Sequence, residues 1–194
     1  MRPSSTDPVR WDAVFADLEA QAEALEIAER AAEVQDRVRA EVGELTVVDR
    51  LRPAVGTVLR LRTVDGLVCA GTLARVGPDW VLLEQDGDRE LLVCLAAVTG
   101  ISGLGRQSAV PNSMDVVSSR LRLWFVLRRI ARDRSPVSVR LADATALAAT
   151  IDRVGADFVE VAVHPPGEAR RVAAVRDVLV VPMTALVSVR RSAN

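Results

Sequence analysis

Residues 73–83 read LARVGPDWVLL, and residues 151–161 read IDRVGADFVEV. The two stretches lie 78 residues apart (151 − 73), too far for a local turn and about the length of a small domain. The likeness extends on both sides. Asp65 matches Asp143, Arg75 matches Arg153, Gly77 matches Gly155, Asp79 matches Asp157 and Trp80 matches Phe158. Further on, CLAAVTGI from Cys94 matches PMTALVSV from Pro182 at an offset of 88 (182 − 94). The second copy therefore holds ten further residues (88 − 78), around HPPGEARRVAAVRD. Insertions of this kind are tolerated at a hairpin tip. The chain reads as a duplication of one helix-plus-five-strand unit.

Within the first copy the hydrophobic period is two. TVLRLRTVDG alternates Val58, Arg60 and Arg62 against Leu59, Leu61 and Thr63, and Asp65-Gly66 is a hairpin turn. LVCAGTLARV, WVLLEQ and DRELLVC follow as strands, LAAV as one helical turn and TGIS as a short fifth strand. Gly77 and Gly155 are expected to take positive φ at a tight turn, with Asp79 and Asp157 bonding turn amides and the preceding Arg facing the Asp. In the second copy Phe158 shares its strand parity with Glu160, and a Glu seldom points inward. Phe158, and by analogy Trp80, is expected on an outer face. It would be covered by the long N-terminal helix, by the sister unit, or by a partner protein.

The composition is that of a folded, water-soluble chain: 49% hydrophobic, 26% charged, net charge −1. That balance argues against nucleic-acid binding over the whole surface. All 25 basic residues are Arg, and Ala and Val are also abundant, as a GC-rich genome would produce. Cys69 and Cys94 form no CxxC pair and are expected as free thiols in a reducing cytoplasm. The N-terminus has no apolar signal region, and no apolar run is long enough to span a bilayer.

Asp7-Pro8 reads as a helix start, and the stretch to about Val42 lacks Gly and Pro. Trp11, Val14, Phe15, Leu18, Ala22, Leu25, Ala28 and Ala32 fall at helical spacing. Residues 1–44 hold eleven acidic residues against five Arg. This long acidic helix is expected to pack its stripe on the chain's own domains or to pair with a second copy. Thr46 caps a shorter helix ahead of the first strands. GLGRQSAVPNSMDVVSS has no period and reads as a flexible linker over 104–118. RLRLWFVLRRIARDR then predicts an amphipathic helix from Ser119 to Arg134.

The order helix, strand, Asp-Gly turn, Gly-containing long strand, apolar strand, hairpin, helical turn and final strand resembles the Sm-like family, including its Hfq branch. The matching pieces are LRTVDGLVCAGTLARVGPDWVLLE, AAVTGI and their second-copy counterparts, about half of the chain. Small SH3-like barrels share this rhythm. The whole chain, with WDAVFADLEAQ at its start, also looks like an uncharacterised family from high-GC Gram-positive bacteria (actinobacteria). The resemblance implies an α+β, mostly β fold: a long N-terminal helix (1–44) followed by two tandem five-stranded small barrels, each preceded by a helix. The first would span 45–103 and the second 119–194. Family members hold RNA bases with a polar residue where this chain has Val81 and Val159. The basic or His-containing motif before the last strand is replaced by CLAAV and PMTAL, and Gly71 becomes Ala149 in the second copy. RNA binding is correspondingly weakened as an inference, since fold alone does not carry function.

No catalytic constellation, metal set or cofactor motif is legible. His164 is the single histidine, expected in the tip of the inserted hairpin without a ligand partner. The function expected is that of a non-enzymatic cytoplasmic adaptor or assembly module. Trp80, Phe158, Trp11 and Phe15 are its candidate protein-binding residues, for a protein partner or self-association. The alternative is an RNA-binding regulator using Arg120, Arg122, Arg128, Arg129 and Arg132, with Trp124 and Phe125 nearby for stacking. No membrane and no small-molecule substrate is implied.

Overall fold

A computed structural model describes residues 11–86, 89–110, 121–165, 175 and 177–191. The chain divides into two units, residues 1–45 and 46–194.

The first unit is one helix, α1 (Trp11–Glu44). Its proposed start at Asp7-Pro8 lies outside the described residues. At about 100° per residue, Trp11, Phe15, Leu18, Ala22 and Leu25 fall within an arc of about 80°. Ile27, Val34, Val38 and Val42 fall within a second arc of similar width on the opposite side. The helix thus carries two apolar stripes, one in each half, rather than the single stripe that the N-terminal residues suggest.

The second unit opens with α2 (Val47–Leu51), capped as expected. Thr46 and Asp49 form a reciprocal capping box, with Thr46 Oγ1 accepting from the Asp49 amide at 3.2 Å and the Thr46 amide donating to Asp49 at 3.0 Å. The strands of the first copy are β1 (Val58–Thr63), β2 (Val68–Val76), β3 (Trp80–Gln85), β4 (Arg89–Cys94) and β5 (Val98–Ser102). Helix α3 (Leu123–Asp133) precedes the second copy: β6 (Pro136–Leu141), β7 (Ala146–Val154), β8 (Phe158–Val163), β9 (Asp177–Pro182) and β10 (Leu186–Arg191).

Several backbone bonds recur at matching places in the two copies. The Val64 amide donates to Ala97 O at 2.9 Å, and its counterpart Ala142 donates to Ala185 O at 2.9 Å. The Gly77 amide donates to Trp80 O at 2.8 Å, and Gly155 to Phe158 O at 2.9 Å. The register slip between Leu73 and Arg75 returns between Ile151 and Arg153.

Two tandem barrels are not what these strands build. They form one antiparallel sheet in the order β5-β1-β2-β3-β4-β10-β6-β7-β8-β9, which does not close. A separate first barrel would need β4 to turn back onto its own copy. Instead β4 pairs with β10, setting Val93 opposite Ser188, Leu92 opposite Val189 and Leu91 opposite Arg190. The sequence of β3 and β4 shows why an open sheet with a core on each face suits them. WVLLEQ and RELLVC are apolar on both strand parities, so they need cover on both faces. Val81, Leu83, Leu91 and Val93 enter one core with Leu59, Leu61 and Leu73. Trp80, Leu92 and Cys94 enter the other, with Ile151, Val159, Val161, Val189 and Leu127 of α3.

Three further expectations are corrected. Gly77 and Gly155 are not among the positive-φ glycines. They are small because a Cβ at either would stand 2.3 Å from the ring of Trp80 or Phe158. His164 is not at a hairpin tip but buried at the end of β8. Its Nδ1 lies 3.0 Å from the Pro165 carbonyl, which can only accept. Nε2 lies 3.0 Å from the Thr150 hydroxyl, which can donate or accept. Finally, the first part of the proposed linker is held to α2. Arg50 donates to Gly105 O at 2.7 Å, and the Ala109 amide to Asp49 O at 2.8 Å. Residues 111–118 lie outside the described set.

Candidate interaction surfaces

Trp80 does sit on the face of β3 opposite Val81 and Leu83, but it is not free to meet a partner. It is 6% exposed, and its cover comes from its own chain. Nε1 donates to Leu121 O at 2.6 Å, and the neighbouring Asp79 carboxylate accepts the Leu123 amide at 2.8 Å. Asp79 thus bonds the first amide of α3 rather than an amide of its own turn. A carboxylate suits a helix N-terminus, where amides lack intrahelical partners. Neither Arg75 nor Arg153 forms the expected pair with the Asp of its bend among the ion pairs described; Arg153 lies 3.5 Å from Glu160. Phe158 has no ring N–H and stays half-buried.

Helix α3 presents its arginines as follows. Leu123 and Leu127 are buried in the second core. Arg122, Arg129 and Arg132 are exposed, as is Arg128. Arg128 is already engaged: its guanidinium stacks over Trp124 at 4.5 Å and donates to Val154 O at 3.3 Å. Phe125 is 50% exposed and meets Trp124 edge-on. Arg120 lies outside the described residues. A groove of about 700 Å³ runs from Arg75 and Leu82 to Phe125 and Arg129, with Glu84 and Glu90 on its wall. Its mixed charge does not favour a polyanion. Val81 and Val159, at the base-holding positions of the Sm-like resemblance, are fully buried.

Trp11 and Phe15 stand on α1 at 73% and 57% exposure. Their rings lie 6.4 Å apart.

Two surfaces were not singled out from sequence. Strand β9 pairs with β8 on one side, and no strand covers its other side among the described residues. Val178 and Val180 on it are exposed. Strand β5 likewise has β1 on one side alone. Beside it opens an apolar groove of about 360 Å³ lined by Val47, Leu95, Val98, Ile101 and Leu104. The signal was present in the sequence: VLVVP in β9 is apolar on both parities, like its counterpart ELLVC in β4.

Both cysteines are buried and free. Burial, together with the nearby Asp79 charge, pushes the Cys94 thiol up to about 12. Burial also raises Cys69. Among the described residues no group of three His, Cys, Asp or Glu side chains is placed to hold a metal ion, and no helix is long and apolar enough to cross a membrane.

Comparison with protein-family models, with curated proteins and with solved structures finds no match.

Proposed function

We propose that this chain is a non-enzymatic assembly module of the cytoplasm, acting through protein–protein contacts. The observation that carries this reading is α1. Trp11, Phe15, Leu18 and Leu25 on one side, and Ile27, Val34, Val38 and Val42 on the other, are each more than half exposed. Contiguous exposed apolar surface marks interaction sites. A helix draws most of its stability from packing of an apolar face rather than from propensity. Two stripes on opposite sides and in opposite halves suit a helix that engages partners at two places along its length. The test is photo-crosslinking in cells from a benzoyl-phenylalanine placed at Phe15 or at Val38. The expected result is adducts with another polypeptide from each position, the first lost in Trp11→Glu. Recovery of the uncrosslinked chain alone from both positions would overturn the reading.

A second reading, RNA binding, is favoured by the exposed Arg122, Arg129 and Arg132 beside the exposed Phe125. It predicts filter-bound RNA at low salt, with affinity falling steeply as salt rises and lost in the triple Arg→Gln variant. Absence of retained RNA at low salt removes it.

A further inference from the structure

We propose that copies of this chain join through α1, the N-terminal half of one helix lying parallel to the C-terminal half of the next. This rests on the assembly reading above and names the partner: a second copy.

The inference follows from the charges that flank the two apolar stripes. Written as heptads abcdefg, the first stripe places Trp11, Leu18 and Leu25 at d and Phe15 and Ala22 at a. The second places Ile27 and Val34 at d and Ala31 and Val38 at a. Each is a coiled-coil seam in its own right, and the e and g residues beside a seam set its partner and orientation. Beside the first, e holds Glu19 and Glu26, and g holds Val14 and Gln21. Beside the second, e holds Ala28, Gln35 and Val42, and g holds Arg30 and Arg37. In a parallel pair, g faces the e residue of the partner's following heptad; in an antiparallel pair, e faces e and g faces g.

A single arrangement of these seams matches opposite charges. The first stripe on itself sets its acids beside Val14 and Gln21 when parallel, and acid beside acid when antiparallel. The second on itself sets Arg30 and Arg37 beside Gln35 and Val42, or Arg beside Arg. The first on the second, antiparallel, leaves both the acids and the arginines beside neutral residues. The first on the second, parallel, sets Glu19 beside Arg30 and Glu26 beside Arg37 of the neighbouring copy. The stagger is 16 residues (27 − 11), about 24 Å of helix. At that stagger Trp11 meets Ile27, Phe15 meets Ala31, Leu18 meets Val34 and Ala22 meets Val38, so each alanine faces a larger side chain. Leu25 comes level with Glu41, where the seam ends, and one like-charged match, Asp12 with Glu23, falls at the other end. The charged partners are available: Glu26 and Arg30, paired within the helix at 2.6 Å, keep side chains 65% and 72% exposed. Glu19 and Arg37 are exposed as well. Because the stripes lie on opposite sides of α1, each copy offers one to the copy before it and the other to the copy after. Such a contact uses two different surfaces, so it repeats from copy to copy.

The test uses the full chain in light scattering from micromolar to near-millimolar concentration. Wild type is expected to rise with concentration to a mass of two or more chains of 20.9 kDa. The double variant Glu19→Arg, Glu26→Arg reverses the charge of the first stripe, and Arg30→Glu, Arg37→Glu reverses that of the second. Each alone sets like charges along the contact and is expected at the mass of one chain. Their equimolar mixture is expected to regain the wild-type mass, because each stripe then meets its opposite on the other variant. Each double variant also breaks the pair of Glu26 with Arg30 inside the helix. The chain that carries all four substitutions restores that pair in reverse, and it is expected to assemble by itself. Circular dichroism of this chain keeps loss of helix distinguishable from loss of the contact. A wild type of one-chain mass throughout overturns the proposal. So does an oligomer whose mass neither double variant changes, or one that neither the mixture nor the fourfold variant restores. If the purified chain stays single while photo-crosslinking from Phe15 and Val38 captures a different polypeptide, the assembly reading stands and the self-pairing falls.

Discussion

Asp65, in the first hairpin turn, is paired with Arg140 of β6, so a turn of one copy is tied to a strand of the other. The Asp65 side chain is fully buried. Its second oxygen accepts from the Thr63 hydroxyl at 2.5 Å and from the Leu67 amide at 3.3 Å. Burial pushes its pKa up, but the Thr63 bond, the Arg140 bond and charge, and the Leu67 amide outweigh it, leaving the carboxyl below its ordinary value. The matching Asp143 is exposed and serves its own turn, accepting the Thr145 amide at 2.9 Å. Sequence alignment of the copies treats the two aspartates as equals; tertiary structure gives them different work.

Asp65→Asn is therefore expected to destabilise the second unit by about 3 kcal/mol, the cost of breaking a buried pair and leaving the arginine uncompensated. Asp143→Asn should cost a small fraction of that. A carboxyl held below its unfolded value contributes stability above the ordinary carboxylate pKa and loses it as pH falls through the lowered one. The gap between wild type and Asp65→Asn in urea unfolding should accordingly be full at pH 7 and shrink in acid. A pH-independent gap would assign the loss to packing.

Gly77→Ala and Gly155→Ala should each cost about 3 kcal/mol, since the new methyl meets an aromatic ring rather than open space. Pairing Gly77→Ala with Trp80→Leu should recover part of that loss. Thermal unfolding of the two single variants and the double variant measures the coupling. Additive effects would show that the ring is not what excludes the side chain.

Ala144 has φ +68, in the place that Gly66 holds with φ +80 in the first copy. An L-residue in this region is strained. Ala144→Gly is expected to raise stability by about 1 kcal/mol, and Gly66→Ala to lower it by a similar amount. Denaturant midpoints at constant slope test both signs.

Cys94 and Cys69 should resist alkylation in the native chain at pH 8, and two thiols per chain should react once it is unfolded. The folded thiol of Cys94 titrates far above the ordinary value of about 8.5. Its contribution to stability is complete below that value and is lost as pH rises towards about 12. Cys94→Ala should flatten the decline in stability measured between pH 8 and pH 10. Rapid labelling of the native protein would contradict the buried placement.

Local chemistry was legible from residues alone. Thr46 announced a cap, Asp65-Gly66 a hairpin, and the spacing of small, acidic and aromatic residues around positions 77–80 and 155–158 announced one unit used twice. Each of these rests on contacts between neighbours in the chain, which composition and period record. The candidate surfaces were only partly legible. Trp11 and Phe15 stand exposed on α1, although the sequence predicts that this stripe packs on the chain's own domains or on a second copy, and Trp80 is bonded to Leu121 O, a neighbour that sequence could not place beside it. What tertiary structure alone decided is which strand meets which. Period two states that β4 needs neighbours on its edges and cover on its faces, but it cannot say that β10 supplies one edge, because hydrogen bonds between backbones carry no side-chain signature. That single choice turned two expected barrels into one open sheet of ten strands, and it left β5 and β9 at its ends.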